Sequence, residues 1–162
     1  MRSLSKKLQL PDAFIALSVE LHKNGKTLVQ CDGVFDLVHP GHIEYFRIGK
    51  ALGDILYVVI VADKFVQKGP GRPLFDELTR ANWVAALEYV DYVVINQDYG
   101  PLKLIERIRP HVLVKGRHYE TQPTKGFTKD RLAVEAYGGR VEFADEFQRS
   151  SDIISRIYNL FN

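Results

Sequence analysis

The 162-residue sequence contains a single cysteine, Cys31, so no disulfide can form within the chain. A chain without disulfides is typical of a reducing compartment, and we expect this protein in the cytoplasm. Cys31 ends a short apolar run that begins at Thr27. That position predicts a small, buried core side chain.

Long apolar runs and a strong excess of one charge are also missing. No run approaches the length of a membrane span, and Pro11, Asp12 and Glu20 interrupt the stretch after the basic N-terminus, which argues against a signal peptide. The formal net charge is only +2. We therefore expect neither nucleic acid nor a membrane as the main partner. A local cluster of cations around a phosphate remains compatible with this balance.

The sequence also lacks internal repeats, low-complexity tracts and linkers. The length suits one domain with a hydrophobic core. We predict a single domain over residues 1–162, in which 1–25 form an N-terminal helical extension and 26–162 form the core. A Walker P-loop, a G-x-S-x-G elbow and a G-x-G-x-x-G after the first core strand are all absent.

Predicted helices and strands alternate along the chain. A Pro-Asp start and spaced apolar residues predict an amphipathic helix over Leu10–His22, and the β-branched run Ile55–Val61 predicts a parallel strand buried on both faces. Further strands are predicted at 28–31, 92–95, 112–114 and 141–143, and further helices at 42–52, 76–89, 102–108, 129–137 and 150–161. The pattern predicts an α/β fold with a mostly parallel sheet of about five strands and helices on both faces. Ligands of such sheets bind beyond the carboxyl ends of the strands.

The stretch from Gly33 to His42 joins the first core strand to the next helix. Gly33 permits a close approach of the backbone to a ligand, and Pro40 and Gly41 begin a helix whose free amides and dipole favour an anion. His39 and His42 flank this helix start and can donate hydrogen bonds to phosphate oxygens. Alternatively, both rings cap the helix and pack. A metal site is a third alternative, but no nearby carboxylate or cysteine pattern completes a zinc set.

These residues carry a family resemblance. The segment Phe35–His42 resembles the HxGH motif of the cytidylyltransferase-like superfamily. The resemblance implies a Rossmann-like three-layer sandwich in which both histidines stabilise the α-phosphate of a nucleoside triphosphate during in-line attack. It also implies Mg²⁺ on the triphosphate.

The resemblance extends over roughly residues 27–158. Lys50 is similar to the family's basic residue before a Gly-Asp turn, although a cation is favoured at a helix C-terminus in any case. Lys68 and Arg72 resemble the loop that closes over phosphates; Lys68 could equally be a solvated surface charge. Arg80 occupies the place of a recurring arginine, and a helix-surface charge or a buried ion pair would also explain it. Trp83, Phe75 and Tyr89 fit helix packing and are expected in the core.

Two later segments continue the likeness. Lys115–Tyr119 resembles the loop that holds the base and ribose, and Arg149–Ile154 resembles the helix start that holds the β- and γ-phosphates. Capping alone would explain one of the serines at 150 and 151. Asp36 could bind substrate or hold its turn together by hydrogen bonds, and we slightly favour the second.

The sequence departs from the family pattern at three positions. Arg149 stands where relatives usually have Ser or Thr, His118 where an acidic residue is common, and Asp32 where Asn, Thr or Tyr is usual. Arg149 either adds a phosphate contact or shifts the triphosphate, and His118 affects recognition of base and ribose.

These arguments define a candidate site. The predicted catalytic residues are His39, His42 and Lys68. The predicted nucleotide-binding residues are Gly33, Val34, Phe35, Gly41, Arg72, Lys115, Gly116, Arg117, Arg149, Ser150 and Ser151. The predicted substrate-binding residues are Asp36, Lys50 and Arg80, and no residue is predicted as a metal ligand.

The expected reaction joins a nucleoside monophosphate from ATP or CTP to a phosphorylated small molecule and releases pyrophosphate. Among subfamilies, the chain most resembles the adenylyltransferase half of the bifunctional heptose-phosphate enzymes, which favours adenylyl transfer to a sugar phosphate. The kinase half is absent, so a separate kinase or a different substrate is implied. The alternatives are a cytidylyltransferase for a polyol phosphate or phosphonate, a catalytically dead regulatory protein and a metal-dependent hydrolase. Relatives are often dimers, so the resemblance suggests a homodimer.

Overall fold

The computed structural model describes residues 4–145 and 150–161. The described residues form one six-stranded sheet in which all paired strands are parallel, in the order β1-β4-β3-β2-β5-β6. The strands are β1 (Leu8–Gln9), β2 (Leu28–Gly33), β3 (Ile55–Val61), β4 (Tyr92–Asn96), β5 (Val112–Gly116) and β6 (Arg140–Ala144). The predicted fold class is therefore confirmed.

The helices lie on both faces of this sheet. They are α1 (Leu4–Lys7), α2 (Pro11–Lys23), α3 (Pro40–Ala51), α4 (Glu77–Ala86), α5 (Leu102–Ile108), α6 (His118–Thr121), α7 (Lys125–Ala136) and α8 (Ser150–Phe161), with a 3₁₀ turn at Asp63–Phe65. Strand β3 shows why two layers are needed: alternate residues enter different clusters, Leu56 with Phe46 of α3 and Tyr57 with Phe14 of α2. None of the described helices combines the length and the hydrophobicity that a membrane-spanning helix requires.

The segment predicted as an N-terminal helical extension takes part in the sheet. Leu8 and Gln9 pair with Val93 and Val94 of β4 and form the edge strand β1, which the sequence did not predict. Two residues are too short for an alternating pattern to be recognised. Helix α2 agrees with the predicted helix to within one residue at each end and buries Phe14 completely.

Cys31 and Tyr89 agree with the core predicted from the sequence, Tyr89 as a partly buried side chain packed against it, whereas Trp83 and Phe75 differ. Cys31 is a free, fully buried thiol, as predicted. The prediction that Trp83 and Phe75 belong to the core is wrong, since each is 37% exposed. Their rings contact each other edge to face, with centroids 4.5 Å apart, on the outer side of α4. The buried positions of that helix are Arg80, Ala81, Val84 and Ala85, and Trp83 is not among them.

Strand order creates a switch point at β2. The chain runs from β2 to β3 and β4 on one side, and then crosses back to β5 and β6 on the other. Connections that leave a parallel sheet in opposite directions open a crevice between them at the carboxyl ends of the strands. The loops after β2 and β5 therefore border a crevice suited to a ligand.

We expect Gly53→Ala to destabilise the fold, because Gly53 follows α3 with no room for a methyl group. A Cβ there would lie 2.7 Å from Val29 Cγ2 and 2.8 Å from the carbonyl oxygen of Thr27. The strain predicts a loss of about 1–3 kcal/mol in the free energy of unfolding, measured by urea denaturation. Gly126→Ala is the control, since its Cβ would meet nothing closer than 3.9 Å. Equal stability of the two variants would contradict this packing.

Candidate active site

A cavity of about 690 Å³ occupies the crevice at the switch point. Its wall includes the last residues of four strands: Gly33 of β2, Val61 of β3, Gly116 of β5 and Ala144 of β6. Most of the predicted site residues meet there. Those lining the cavity are Gly33, Val34, Phe35, His39, Gly41, His42, Lys68, Arg72, Lys115 and Gly116.

The two histidines stack on each other at the start of α3. Their ring centroids are 3.7 Å apart and the ring planes differ by 25°. His39 is the N-cap of α3, but its side chain makes no capping hydrogen bond. Both ring nitrogens of His39 and Nδ1 of His42 are buried and have no hydrogen-bond partner within the described part of the chain. The rings therefore do not act as caps, and unpaired polar atoms of this kind are unfavourable unless a ligand or water satisfies them.

Phe35 fixes the neighbouring ring. Its backbone has φ of +52°, which is unusual for a non-glycine residue, and its ring meets His42 edge to face with centroids 5.0 Å apart. A Cβ at Gly33 would lie 2.9 Å from Cζ of that ring. Glycine at position 33 thus allows Phe35 to fold back over the backbone and support His42. Strained backbone of this kind occurs preferentially at functional sites.

Asp36 anchors the loop that carries Lys68. Its carboxylate accepts hydrogen bonds from Arg72 Nε at 2.5 Å and from the amides of Leu74 and Phe75 at 2.7 and 3.1 Å. Burial raises the pKa of Asp36, but the amide of Leu74 and the Arg72 guanidinium outweigh it and lower the pKa overall. Asp36 is almost fully buried and does not line the cavity, whereas Arg72 does and has a buried, unpartnered Nη2. The Asp36 carboxylate therefore stabilises the loop, and Arg72 keeps one unpaired N–H donor, Nη2, at the cavity wall.

Three basic side chains of this wall, His39, His42 and Lys68, have lowered pKa values. Burial lowers the pKa of His42 to about 3, and His39 and Lys68 act in the same direction. Burial and then Lys68 lower the pKa of His39, while burial and then Arg72 lower that of Lys68. Lys68 forms no ion pair with a described residue. An imidazole can carry a charge near neutral pH, but here burial and neighbouring cations lower the pKa of both rings and favour their neutral forms.

A second part of the wall combines opposite charges. Lys115 of β5 donates from Nζ to Oδ2 of Asp32 at 2.7 Å, and both side chains are nearly buried. Burial opposes the charge of Lys115, but Asp32 outweighs it and raises the pKa of the ammonium group. Lys115 is therefore a charged group that already has a carboxylate partner.

Besides Asp36, the predicted site residues Lys50, Arg80 and Arg117 do not line the cavity. Lys50 ends α3 at the opposite edge of the sheet, where Nζ donates to Asp91 Oδ2 and to the carbonyl oxygen of Asp54, both at 2.6 Å. Arg117 is exposed and pairs with Asp145 and Glu120. Arg80 is fully buried beneath the site. Sequence order could not separate the two ends of α3, because a helix joins opposite edges of the sheet.

Arg80 connects the loops that surround the cavity. Its guanidinium donates to the carbonyl oxygens of Val34, Val61 and Phe75 and to the carboxylate of Asp63. Of the sequence alternatives for this residue, the structure shows a buried ion pair.

The predicted phosphate-binding segment is only partly described. Arg149 lies outside the described residues, and Ser150 and Ser151 begin α8. Conversely, the cavity wall contains residues that the predicted site lacks, namely Asp32, Tyr45, Val61, His118, Tyr119, Gln122, Ala144 and Asp145. Tyr45 could have been found, because it follows His42 by one helical turn and so lies on the same face of α3.

The class of the protein follows from its family. Residues 30–156, beginning in β2 and reaching α8, match the cytidylyltransferase-like family, and the chain belongs to it. This match confirms the superfamily inferred from the HxGH motif and the predicted class, a nucleotidyltransferase.

In the described residues, no group of three or more His, Cys, Asp or Glu side chains is arranged to hold a metal ion.

Among named relatives, the chain is 42% identical over 149 residues to the bifunctional protein HldE of Syntrophotalea carbinolica and 43% identical over 141 residues to that of Geobacter metallireducens. The alignments cover 90% and 85% of this chain but only 29% and 28% of those proteins. A lipopolysaccharide core biosynthesis protein from Thermoplasma volcanium is similar in structure, with a TM-score of 0.61, 26% identity and coverage of 78% of this chain and 100% of that one. Pantoate-beta-alanine ligase from Francisella tularensis shares the fold alone, at a TM-score of 0.63, 14% identity and coverage of 89% and 68%.

We expect Arg80→Met to destabilise the protein strongly. The variant removes a buried guanidinium and leaves the carbonyls of Val34, Val61 and Phe75 without their donor. The expected loss in the free energy of unfolding is about 2–4 kcal/mol. Arg117→Met, which removes exposed ion pairs, should cost less than about 1 kcal/mol. Urea denaturation measures the loss in unfolding free energy for both variants. A loss for Arg80→Met as small as that for Arg117→Met would contradict the role of Arg80 in holding the loops together.

We expect His42 to make the fold sensitive to acid. Its pKa is about 3 in the folded chain, against a reference value of 6.5. The unfolded chain therefore binds more protons below pH 6.5, and stability falls as the pH falls towards 3. Between pH 7 and 5 the His42→Gln variant should lose up to about 2 kcal/mol less unfolding free energy than the wild type.

The control for this pH effect is His118→Gln, which removes an exposed imidazole. Its stability should follow the wild-type pH dependence. Parallel stability curves for the wild type and His42→Gln would show that His42 does not have the lowered pKa.

Proposed function

We propose that this chain transfers a nucleoside monophosphate from a nucleoside triphosphate to a phosphorylated small molecule and releases pyrophosphate, with adenylyl transfer to a sugar phosphate of the heptose-1-phosphate type favoured. One observation carries the proposal. Two stacked histidines with unpaired ring nitrogens, Lys68 and an unpaired Arg72 nitrogen line one cavity. Such donors suit the phosphates of a nucleotide.

In the proposed reaction, a phosphate oxygen of the acceptor attacks the α-phosphorus, and the bond to the β-phosphate oxygen breaks. The acceptor phosphate is already a nucleophile at neutral pH, so the enzyme needs no covalent intermediate. His39 and His42 would donate to the α-phosphoryl oxygens as negative charge develops, with help from Gly41 at the start of α3. The one N–H of a neutral His39 is free to donate. His42 has a hydrogen bond with the Leu37 backbone, so donation from its unpaired Nδ1 as well would use the protonated ring, which a bound phosphate favours.

The remaining predicted groups complete the proposed site. Lys68 and Arg72 would hold the β- and γ-phosphates, as would Arg149, Ser150 and Ser151 at the start of α8. Gly33, Val34 and Phe35 would lie along the nucleotide, and the Lys115–Tyr119 loop would lie against its base and ribose. Asp36 and Arg80 would act by holding the loops that carry these groups.

We propose that Mg²⁺ accompanies the triphosphate. Magnesium bound to phosphate oxygens needs only one or two protein carboxylates, and Asp145 is present at the cavity wall. The ion would neutralise charge on the departing pyrophosphate. A cytoplasmic location and a homodimer remain proposals from the sequence.

The identity of base and acceptor is testable with a substrate panel. Purified wild-type protein with Mg²⁺ is incubated with ATP or CTP and each of a set of sugar phosphates, polyol phosphates and phosphonates, and pyrophosphate is measured. We expect release with ATP and a sugar 1-phosphate only when both are present. Preference for CTP and a polyol phosphate would support the cytidylyltransferase alternative. Hydrolysis without acceptor would indicate a hydrolase, and no release from any pair would refute the proposal.

The role of the basic side chains in the cavity wall is tested by the variants His42→Ala and Lys68→Ala. Each variant should fold and lose pyrophosphate release by about 10²- to 10³-fold, because each removes a donor that stabilises developing charge. Lys103→Ala, which removes an exposed cation paired with Asp98 outside the cavity wall, is the control and should retain turnover. Near wild-type turnover of His42→Ala would contradict the role of the histidine pair.

A further inference from the structure

The cavity has a second polar wall with a different chemical character, formed by Asp32 at the end of β2 and Lys115 at the end of β5. The two side chains are only 12% and 7% exposed, and they are joined at 2.7 Å.

Lys115 contributes no surplus positive charge to this wall. Besides its bond to Asp32, its ammonium group interacts with the charge of Asp130, a buried carboxyl on α7. Burial raises the pKa of Asp130 to about 6, and the nearby Lys115 opposes that rise. One ammonium group is thus shared between two carboxyl groups, which makes this wall unfavourable for phosphate oxygens.

Asp32 also has an oxygen that the protein leaves unsatisfied. Oδ2 accepts from Lys115, but Oδ1 is buried and has no partner within the described residues. A buried carboxylate oxygen needs a donor, and an anionic ligand cannot supply one. A neutral hydroxyl group can donate to it without adding negative charge.

We propose that Asp32 is a specificity-determining residue that accepts a hydrogen bond from a hydroxyl group of the ligand, and that Lys115 orients this carboxylate instead of binding phosphate. The cavity then recognises a molecule with phosphates at the histidine wall and hydroxyl groups at the Asp32 wall. The inference rests on the proposed function. The hydroxyl can belong to the ribose of the nucleotide or to the phosphorylated acceptor.

The test compares Asp32→Ala and Asp32→Asn with the wild type by calorimetric binding of inorganic triphosphate, ATP and 2′,3′-dideoxy-ATP, and by the KM for the acceptor. Loss of the carboxylate removes the hydroxyl contact and releases the Lys115 charge. We therefore expect triphosphate binding to be unchanged or tighter, while binding of the hydroxylated ligand weakens by about 10- to 100-fold for Asp32→Ala. The loss should be smaller for Asp32→Asn, whose amide can still bond a hydroxyl.

The two sources of the hydroxyl give different results. A ribose contact weakens ATP binding and leaves 2′,3′-dideoxy-ATP binding unchanged; an acceptor contact spares both nucleotides and raises the acceptor KM. Asp98→Ala, which removes a carboxylate from an exposed ion pair, should change none of these values. Parallel weakening of inorganic triphosphate, or no change for any hydroxylated ligand, would overturn the inference. A wild type that releases no pyrophosphate would instead refute the proposed function.

Discussion

A single buried guanidinium holds the active-site loops of this fold in register. Arg80 has no exposed surface, and its donors reach Val34 after β2, Val61 at the end of β3 and Phe75 at the start of α4. The carbonyls of Val34 and Phe75 lie outside the strands and helices, and that of Val61 belongs to the last residue of β3. The Arg80 clamp lets the chain leave β2 and β3 in strained conformations, including the positive φ of Phe35, without leaving buried carbonyls unpaired.

The geometry of the histidine wall depends on that support. Phe35 packs over Gly33 and against His42, and His42 stacks on His39, so the ring positions follow from the loop that Arg80 holds. Asp36 likewise supports the loop that carries Lys68, because its carboxylate accepts hydrogen bonds from Arg72 and from the amide of Leu74. Burial and the neighbouring bases lower the pKa of His39, His42 and Lys68, and a bound phosphate would favour their protonated forms. In the proposed function, these donors are in place before the anion binds.

The sequence predicted regular elements and the central motif well, for physical reasons. Strand β3 and helix α5 have the predicted bounds, because an unbroken β-branched run and a Pro-bounded helix leave few alternatives. The exposure of Trp83, the two-residue strand β1 and the short helix α6 were missed, because each depends on tertiary contacts. The same distinction applies to the predicted site residues. His39 and His42 are neighbours in the sequence, so the motif alone brings them together. The positions of Lys50 and Arg80 relative to the cavity depend on how segments distant in the sequence pack.

Local arrangement, and not net charge, explains how a nearly neutral chain can form an anion site. Most surface cations, such as Arg47, Lys103 and Arg131, pair with nearby carboxylates and contribute little field. Lys115 is paired as well, although it lies inside the cavity. Among the described residues, His39, His42 and Lys68 lie together on one part of the cavity wall, and none of them has a carboxylate partner. A formal charge of +2 is therefore compatible with the proposed phosphate site, because that site depends on a local group of donors.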